Sequence, residues 1–277
     1  MSGPVHPRAL LARWGLRPRK RYGQNFLLDY AASRKIAGLC DSGDVRRVVE
    51  VGAGTGMLTH ALLECGLDVT ALEIDADLAA SLRTLPELQA ARIVDADALE
   101  FDYAAWAQGG PWIAAGNLPY NVATPLIAGW AEMDGGPGTI VAMVQRDVAD
   151  RLAAAPGTSA YGSLSVAVQY AMRVERAFVL KPRAFYPAPK VDSAVVRLTR
   201  LSEPAVRPRD LALFRKVVRG AFAYRRKTLA NSLALALDLP HATIAAAAAG
   251  AGISPEQRGE RLDLKDFARL ADALAAG

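Results

Sequence analysis

The sequence predicts an α/β protein with a mostly parallel seven-stranded sheet and a smaller α-helical domain after it. Short apolar runs alternate with amphipathic segments from about residue 47 to residue 201, whereas residues 210–277 show helical patterns only. The segment 203–209, which contains Pro204 and Pro208, separates the two patterns. We therefore expect one domain over residues 1–202, with a basic N-terminal arm over 1–28, and a second over 203–277.

The predicted elements follow the chain in a regular order. Helices are expected over 5–15 and 29–40, the second with Asp29 as its N-cap. Apolar runs then predict strands at 48–52, 69–74, 91–94, 112–115, 139–144, 173–180 and 193–201, and amphipathic segments predict helices at 57–65, 76–85, 123–133, 145–154 and 163–171. Helical connections of this length predict right-handed crossovers between parallel strands, and the last two strands are expected to form an antiparallel pair at the sheet edge.

Composition excludes several classes of protein. Hydrophobic residues make up 52% of the 277 residues and charged residues 22%, so the chain is not of the disordered type. No apolar run reaches the roughly 18 residues of a membrane span, and the N-terminus lacks the pattern of a secretory signal. Cys40 and Cys65 fit no disulfide or metal framework. We expect a monomeric cytoplasmic protein with two reduced thiols and no membrane association.

The formal net charge of +5 is unevenly distributed along the chain. Residues 1–22 carry a net charge of +6 and residues 173–227 carry +11, so the remainder carries −12. Aromatic residues, among them Tyr22, Phe178 and Tyr224, lie between these cations. Basic segments that contain aromatic residues suit a nucleic-acid backbone with unstacked bases, which makes a nucleic acid the expected partner.

A glycine-rich turn and two acids predict a pocket for an adenosyl group. The turn is Gly52-Ala53-Gly54-Thr55-Gly56, directly after the first strand of the sheet. Glu73 ends the next strand, where a carboxylate can accept hydrogen bonds from both ribose hydroxyls, and Asp97 follows the third, where it suits the adenine amine. The G-x-G-x-G spacing lacks the phosphate cradle that NAD needs, so S-adenosylmethionine (SAM) is the expected cofactor.

Two further loops predict a site for the acceptor base. Gly116-Asn117-Leu118-Pro119-Tyr120 follows the fourth strand, where the Asn117 amide oxygen and the Leu118 carbonyl can accept hydrogen bonds from an amine. Tyr120 offers a flat surface for a base, and Phe185, in the Pro-rich segment 185–193, is expected to form the opposite wall. Either loop alone is also compatible with a purely structural role.

Taken together and in this order, these motifs resemble those of the rRNA adenine dimethyltransferases. The resemblance covers about residues 17–274 and includes GQNFL at 23–27, EVGAGTG at 50–56, GNLPYN at 116–121 and FYPAPKVDSAV at 185–195. The segments FRKVVRGAFAYRRKTLANSL (214–233) and RGERLDLKDFARLADAL (258–274) resemble the C-terminal domain of the small-subunit, KsgA/RsmA-type branch. Ala53 stands where a proline is common in the family.

The resemblance implies a class I SAM-dependent methyltransferase with a Rossmann-like sheet, which releases S-adenosylhomocysteine. SAM contacts are implied for Asn25, Leu27, Gly52, Glu73, Asp97 and Asn117. The implied substrate is a pair of adjacent adenines in the 3′-terminal hairpin of 16S rRNA, each dimethylated on its exocyclic amine. Family members act late in the maturation of the small ribosomal subunit.

We expect a direct displacement on the SAM sulfonium, with no metal ion and no covalent intermediate. In this reaction Asn117 and Leu118 would orient the amine, while Tyr120 and Phe185 hold the base.

Two groups of basic residues are expected to bind rRNA phosphates, with Arg215, Arg219 and Arg226 near one helix face. These groups are Arg17, Arg19, Lys20 and Arg21 in the arm and Arg215, Lys216, Arg219, Arg225, Arg226 and Lys227 in the second domain.

Three alternatives remain at this point. A large-subunit rRNA methyltransferase of the antibiotic-resistance branch would share the first domain. A small-molecule methyltransferase would have no use for the charge of +11 over residues 173–227. A non-enzymatic assembly factor could occupy its site on the ribosomal subunit and coexist with catalysis.

Overall fold

The computed structural model of the protein describes residues 4–224 and 226–276. The chain forms two compact units. The first comprises the residues up to 149 together with 174–200, and the second comprises 150–173 together with the residues from 201 onwards. Within the described ranges, no helix is long and apolar enough to cross a membrane.

Nine strands and twelve α-helices are present in the described residues. The strands are β1 (Phe26–Leu27), β2 (Arg47–Val51), β3 (Asp68–Glu73), β4 (Arg92–Asp95), β5 (Ile113–Asn117), β6 (Thr139–Gln145), β7 (Met172–Leu180), β8 (Phe185–Tyr186) and β9 (Ser193–Arg200). The helices are α1 (Pro7–Trp14), α2 (Tyr30–Leu39), α3 (Met57–Glu64), α4 (Ala76–Leu82), α5 (Tyr103–Ala107), α6 (Ala123–Glu132), α7 (Arg146–Leu152), α8 (Ser163–Ala171), α9 (Leu211–Ala223), α10 (Leu229–Leu237), α11 (His241–Gly250) and α12 (Leu264–Ala275).

A seven-stranded sheet in the order β4-β3-β2-β5-β6-β9-β7 forms the centre of the first unit. Strands β4, β3, β2, β5 and β6 are parallel, and β9 pairs antiparallel with β6. The central strands β2 and β5 are buried at four of their five residues each, as is typical of parallel sheets. The predicted α/β fold with seven strands in the main sheet is confirmed. Parallel strands end at the same edge, so the loops after β2, β3 and β5 lie close together.

A second, two-stranded sheet was not predicted. Strand β1 pairs antiparallel with β8, with Phe26 opposite Tyr186 and Leu27 opposite Phe185. This pairing holds the end of the N-terminal arm against the Pro-rich segment 185–193. The helix α5 was also not predicted from the sequence.

The second unit is helical and has a core of its own. Phe214, Leu233 and Phe267 are buried there, and Tyr161 and Val166 from the region of α8 belong to the same cluster. Residues 150–173 therefore group with the helices after 201, whereas the sequence placed them in the first domain. The difference has a physical cause, because α8 buries its apolar residues in this helical core. The functional role of each unit remains a prediction.

Candidate active site

A cavity of about 390 Å³ lies at the carboxyl ends of β2, β3 and β5, in the size range of ligand sites. Its walls come from the turn after β2, the ends of β3 and β5, the loop after β4 and the segment 21–27. It brings together nine of the residues predicted to bind SAM or the acceptor base, which are Asn25, Leu27, Gly52, Gly54, Glu73, Asp97, Asn117, Leu118 and Tyr120, and Arg21 of the predicted RNA-binding residues also lines it. A second, more open cavity of about 720 Å³ also borders Asp97 but contains no other predicted site residue.

The turn after β2 has a backbone that favours glycine at three positions. The φ angles of Gly52, Gly54 and Gly56 are +77°, +59° and +80°, in the left-handed region where other residues are strained. A Cβ on Gly54 would also lie 3.1 Å from a ring carbon of Phe26. The glycines therefore keep the turn tight and let its backbone line the cavity.

Glu73 is held in place by the backbone on both sides. The Gly54 N–H donates to Oε2 at 2.8 Å, and the Asp75 N–H donates to Oε1 at 3.0 Å. The side chain is only 5% exposed, and burial raises its pKa above the ordinary value despite these hydrogen bonds. Each carboxylate oxygen can accept a second hydrogen bond, so the two can receive a pair of adjacent hydroxyls from a ligand.

The loop after β4 adds a second acid with apolar neighbours. Asp97 lines the cavity, and its Oδ1 accepts a hydrogen bond of 2.9 Å from the Leu99 N–H, which fixes the side chain. Ile74 and Leu99 are exposed apolar residues that line the same cavity. Sequence reasoning missed these two, although each follows a predicted acid by one or two positions. Apolar side chains beside a carboxylate suit a flat heterocycle with an exocyclic amine.

Asn117 and Tyr120 form another wall. The Asn117 Nδ2 donates to the Asn25 carbonyl at 2.9 Å, which leaves the amide oxygen as an acceptor at the cavity. The Tyr120 hydroxyl is 2.9 Å from the Ser193 Oγ, and partial burial raises the pKa of this phenol. The Leu118 N–H donates to the Met143 carbonyl, so the loop is anchored to β6.

The segment 19–25 is tied to the end of β3 by side-chain contacts. Arg19 forms ion pairs with Asp75, at 2.6 Å, and with Asp77. The Gln24 Nε2 donates to the other oxygen of Asp75 at 3.0 Å, and the Arg19 N–H donates to the Gln24 Oε1 at 2.7 Å. Arg19 was predicted to bind RNA phosphate, but two carboxylates already engage it here. Its position indicates that it holds a wall of the cavity.

Glu50 is a buried acid at the cavity that sequence reasoning quoted without assigning a role. It is 1% exposed, and its Oε2 has no hydrogen-bond partner among the described residues. Burial, together with the nearby charge of Glu73, raises its pKa to about 8. The sequence could have indicated a role for Glu50, because burial of an acid within an apolar strand carries a large free-energy cost.

Phe185 is not brought to the cavity. Its side chain is 2% exposed and lies in the core of the first unit, on the face that it shares with Leu27 across the β1–β8 pair. Directly opposed residues of an antiparallel pair point to the same side, so this register directs Phe185 inward. In this structure the predicted second wall for a base is therefore not formed by Phe185.

The other predicted RNA-binding residues lie mainly at the surface. Arg17, Lys20 and Arg21 are exposed, and Arg21 stacks over the Tyr22 ring at 4.5 Å. In the second unit, Lys216 and Arg219 are exposed on α9, Arg215 is half-buried, and Arg226 and Lys227 are exposed. Arg225 lies outside the described residues. Helix α9 ends at Ala223, so Arg226 lies in the following turn and does not share a helix face with Arg215, contrary to the predicted spacing.

Comparison with known proteins decides the family. The model of the family described as "Ribosomal RNA adenine dimethylase" matches residues 15–276. The chain belongs to this family. It is 43% identical to a protein of Hahella chejuensis over 93% of each chain. It is 42% identical to one of Pseudomonas aeruginosa over 94% of this chain and 95% of the other. Both relatives are named "Ribosomal RNA small subunit methyltransferase A".

Solved structures of similar proteins agree with the family. The chain is similar to the 23S rRNA methyltransferase ErmE, with a TM-score of 0.67 and 28% identity over 91% of this chain and all of the other. A dimethyladenosine transferase from Plasmodium falciparum shows the same fold, with a TM-score of 0.71 at 22% identity over 88% of this chain and 95% of the other. The predicted family, methyltransferase fold and enzyme class, a SAM-dependent rRNA adenine dimethyltransferase, are thereby confirmed.

Proposed function

We propose that this protein transfers methyl groups from SAM to the exocyclic amines of two adjacent adenines in the 3′-terminal hairpin of 16S rRNA. It would act on an immature small subunit, late in its maturation, as a monomer in the cytoplasm. The proposal is supported most by the Asn117 amide oxygen, which is held at the cavity that also contains Glu73 and Asp97. Relatives that are 41–43% identical and named "Ribosomal RNA small subunit methyltransferase A" support the substrate class.

The residues of the cavity fit SAM. Glu73 would accept hydrogen bonds from the ribose hydroxyls and Asp97 from the adenine amine, while Ile74 and Leu99 would contact the ring. The turn at Gly52 and Gly54, together with Asn25 and Leu27, would contact the remainder of the molecule. SAM supplies the electrophilic methyl group.

The acceptor amine is a weak nucleophile because its lone pair is delocalised into the adenine ring. The Asn117 amide oxygen and the Leu118 carbonyl would accept its two hydrogens, which orients the amine and favours a pyramidal nitrogen. Tyr120 would stack on the base, and its hydrogen bond to Ser193 would fix the ring. The amine loses its proton only after its nitrogen has bonded to the methyl carbon of SAM, when it is already strongly acidic. No side chain with a shifted pKa is therefore needed as a base.

Positive charge on each unit supports an RNA substrate. In the first unit, Arg17, Lys20 and Arg21 would contact phosphates, and Arg21 with Tyr22 borders the cavity itself. In the second unit, the exposed cations of α9 and of the turn after it would do the same. RNA affinity should therefore fall steeply with salt, by a log–log slope of about 0.7–0.9 per phosphate contact.

A large-subunit rRNA substrate is the second candidate, favoured by the similarity to ErmE. The small-subunit substrate has stronger support, because relatives named for it are 40–43% identical over nearly the whole chain. Incubation of the protein with tritiated SAM and a mixture of under-methylated small and large subunits should label dimethyladenosine in the 3′-terminal hairpin of 16S rRNA. Label in 23S rRNA alone, mapped by primer extension, would contradict the proposal.

Two secondary proposals concern metal ions and ribosome assembly. Methyl transfer should continue in the presence of EDTA, because direct displacement on a sulfonium requires no metal ion. An additional role as an assembly checkpoint would be supported if an inactive Asn117 variant still restored small-subunit maturation in cells that lack the protein.

A further inference from the structure

One amide side chain at the cavity has no hydrogen-bond partner among the described residues. Four residues that line the cavity carry a side-chain amide, and these are Gln24, Asn25, Asn117 and Asn121. The NH₂ groups of the first three donate to Asp75, to the Gly23 carbonyl and to the Asn25 carbonyl, at 3.0, 3.0 and 2.9 Å. Asn121 is the exposed amide without such a partner, so both N–H donors of its side chain are available to a ligand.

The chain holds Asn121 beside the ring on which the base would stack. Asn121 directly follows Tyr120, and both line the cavity. The Pro119 carbonyl accepts a hydrogen bond of 3.0 Å from the Val122 N–H, so the turn that contains Asn121 is closed by its own backbone. A Cβ on Gly23 would lie 3.4 Å from the Asn121 Oδ1. The amide therefore lies where the loop after β5 meets the segment 19–25.

Adenine needs a donor that Asn117, Leu118 and Tyr120 do not supply. The exocyclic amine of adenine is flanked by two ring nitrogens, N1 and N7, which accept hydrogen bonds. The Asn117 amide oxygen and the Leu118 carbonyl would accept from the amine, and the Tyr120 hydroxyl is engaged with Ser193. Asparagine side chains donate to a ring nitrogen of adenine in other nucleic-acid complexes. The NH₂ group of Asn121 supplies the matching donor here.

We propose that Asn121 donates a hydrogen bond from Nδ2 to a ring nitrogen of the target adenine, N1 or N7, beside the amine that is methylated. This inference rests on the proposed function, because it assumes an adenine in the cavity. Stacking on Tyr120 leaves a base able to rotate within its own plane. Hydrogen bonds to two neighbouring atoms of one edge stop that rotation, and they select a base that has an acceptor next to an amine.

The test changes the side chain and the base together. Under-methylated small subunits carry a synthetic 3′ segment of 16S rRNA with adenine, 1-deazaadenine or 7-deazaadenine at the target positions. The kcat/KM for these subunits is measured at saturating SAM for the wild type and for Asn121→Ala. With adenine, the variant should be about tenfold less efficient, which corresponds to one hydrogen bond. With the analogue that lacks the contacted nitrogen, the two proteins should be equally efficient, and with the other analogue the difference should remain.

Two further measurements complete the test. Asn121→Asp has the same shape but no donor, so it should be impaired with adenine at least as much as Asn121→Ala. Thermal unfolding and the Kd of SAM should be the same for Asn121→Ala and the wild type, because this exposed side chain has no partner among the described residues.

The contact with the base would be refuted if the ratio of wild-type to Asn121→Ala efficiency were the same for adenine and both analogues. A loss of SAM affinity by the same factor as the loss of efficiency would also overturn it, because the amide would then contact the cofactor. Failure of the proposed function has a different signature, since the wild-type protein would transfer no methyl group to the subunits that carry adenine.

Discussion

Replacement of Glu73 by glutamine should weaken SAM binding and change the stability of the fold much less. In the folded protein, glutamine retains one acceptor oxygen and places an NH₂ group against the N–H of Gly54 or Asp75. A buried donor without a partner costs about 1–3 kcal/mol. The change also removes the cost of burying the carboxylate, which is the main reason why its pKa is raised. Because these effects oppose each other, the free energy of unfolding should change by less than about 2 kcal/mol.

The effect on SAM should be larger. A hydrogen bond to a charged acceptor contributes about 1.5–3 kcal/mol, and the neutral amide of the variant would lose this strength towards the ribose hydroxyls. A loss of about 2 kcal/mol raises the Kd about 30-fold. Glu50→Gln is the matched control, because it makes the same chemical change at the other buried acid that lines the cavity.

The decisive assay is a thermodynamic cycle. Calorimetry measures the affinity of the wild type and of each variant for S-adenosylhomocysteine and for its 2′,3′-dideoxy analogue. The wild type and the Glu50 variant should bind the analogue more weakly than the parent compound, whereas Glu73→Gln should bind both with similar affinity. A cycle of this kind isolates the contact between Glu73 and the hydroxyls. If Glu73→Gln discriminated between the two compounds as strongly as the wild type, the ribose assignment would be wrong.

Three other variants test the site. Asn117→Ala should lower kcat about 100-fold at saturating SAM, because it removes an acceptor for the amine, and a single-turnover assay measures this. Asp75→Ala should raise the Kd of SAM about tenfold through the loss of the Gln24 contact, whereas Asp77→Ala, at an exposed partner of Arg19, should change it little in the same titration. Glu50 has a pKa raised from 4.5 to about 8, so the folded state holds a proton that the unfolded state releases between these values. Wild-type stability should therefore fall as the pH rises through this window. The stability of Glu50→Gln should fall less, because only the raised pKa of Glu73 then contributes, and urea unfolding at about pH 5 and about pH 8.5 measures the difference.

Much of the first unit could be predicted because its signals are local. The strand-helix alternation is a property of short windows, and the glycines of the turn are required by positive φ angles at Gly52, Gly54 and Gly56. The positions of Glu73 and Asp97 follow from their places at strand ends, since parallel strands end at one edge. The sequence therefore predicted both the cofactor side of the cavity and the loop that contains Asn117.

The remainder depends on contacts between distant parts of the chain. Strands of two residues have no periodicity, so the β1–β8 pair, and with it the inward direction of Phe185, could not be read from a pattern. The partner of Arg19 is Asp75, 56 residues away, so the sequence revealed the charge of Arg19 but not the carboxylates that engage it. Likewise, the sequence shows the apolar residues of α8, but it does not reveal that they pack against the helices after residue 201.

Besides the ion pairs of Arg19, contacts at two neighbouring residues, Gln24 and Asn25, hold the segment 19–25 at the cavity, and this arrangement has a thermodynamic consequence. Asp75 holds the segment through Gln24, and Asn117 holds it through the Asn25 carbonyl. If either contact is lost, the segment is already displaced, so loss of the other removes little further SAM affinity. The double variant Asp75→Ala/Asn117→Ala should thus raise the Kd of SAM by less than the product of the single effects. The pair Asp77→Ala/Asn117→Ala should give multiplicative effects, because the Asp77 side chain does not contact Gln24 or Asn25. Multiplicative effects in both pairs would show that the two contacts act on separate parts of the site.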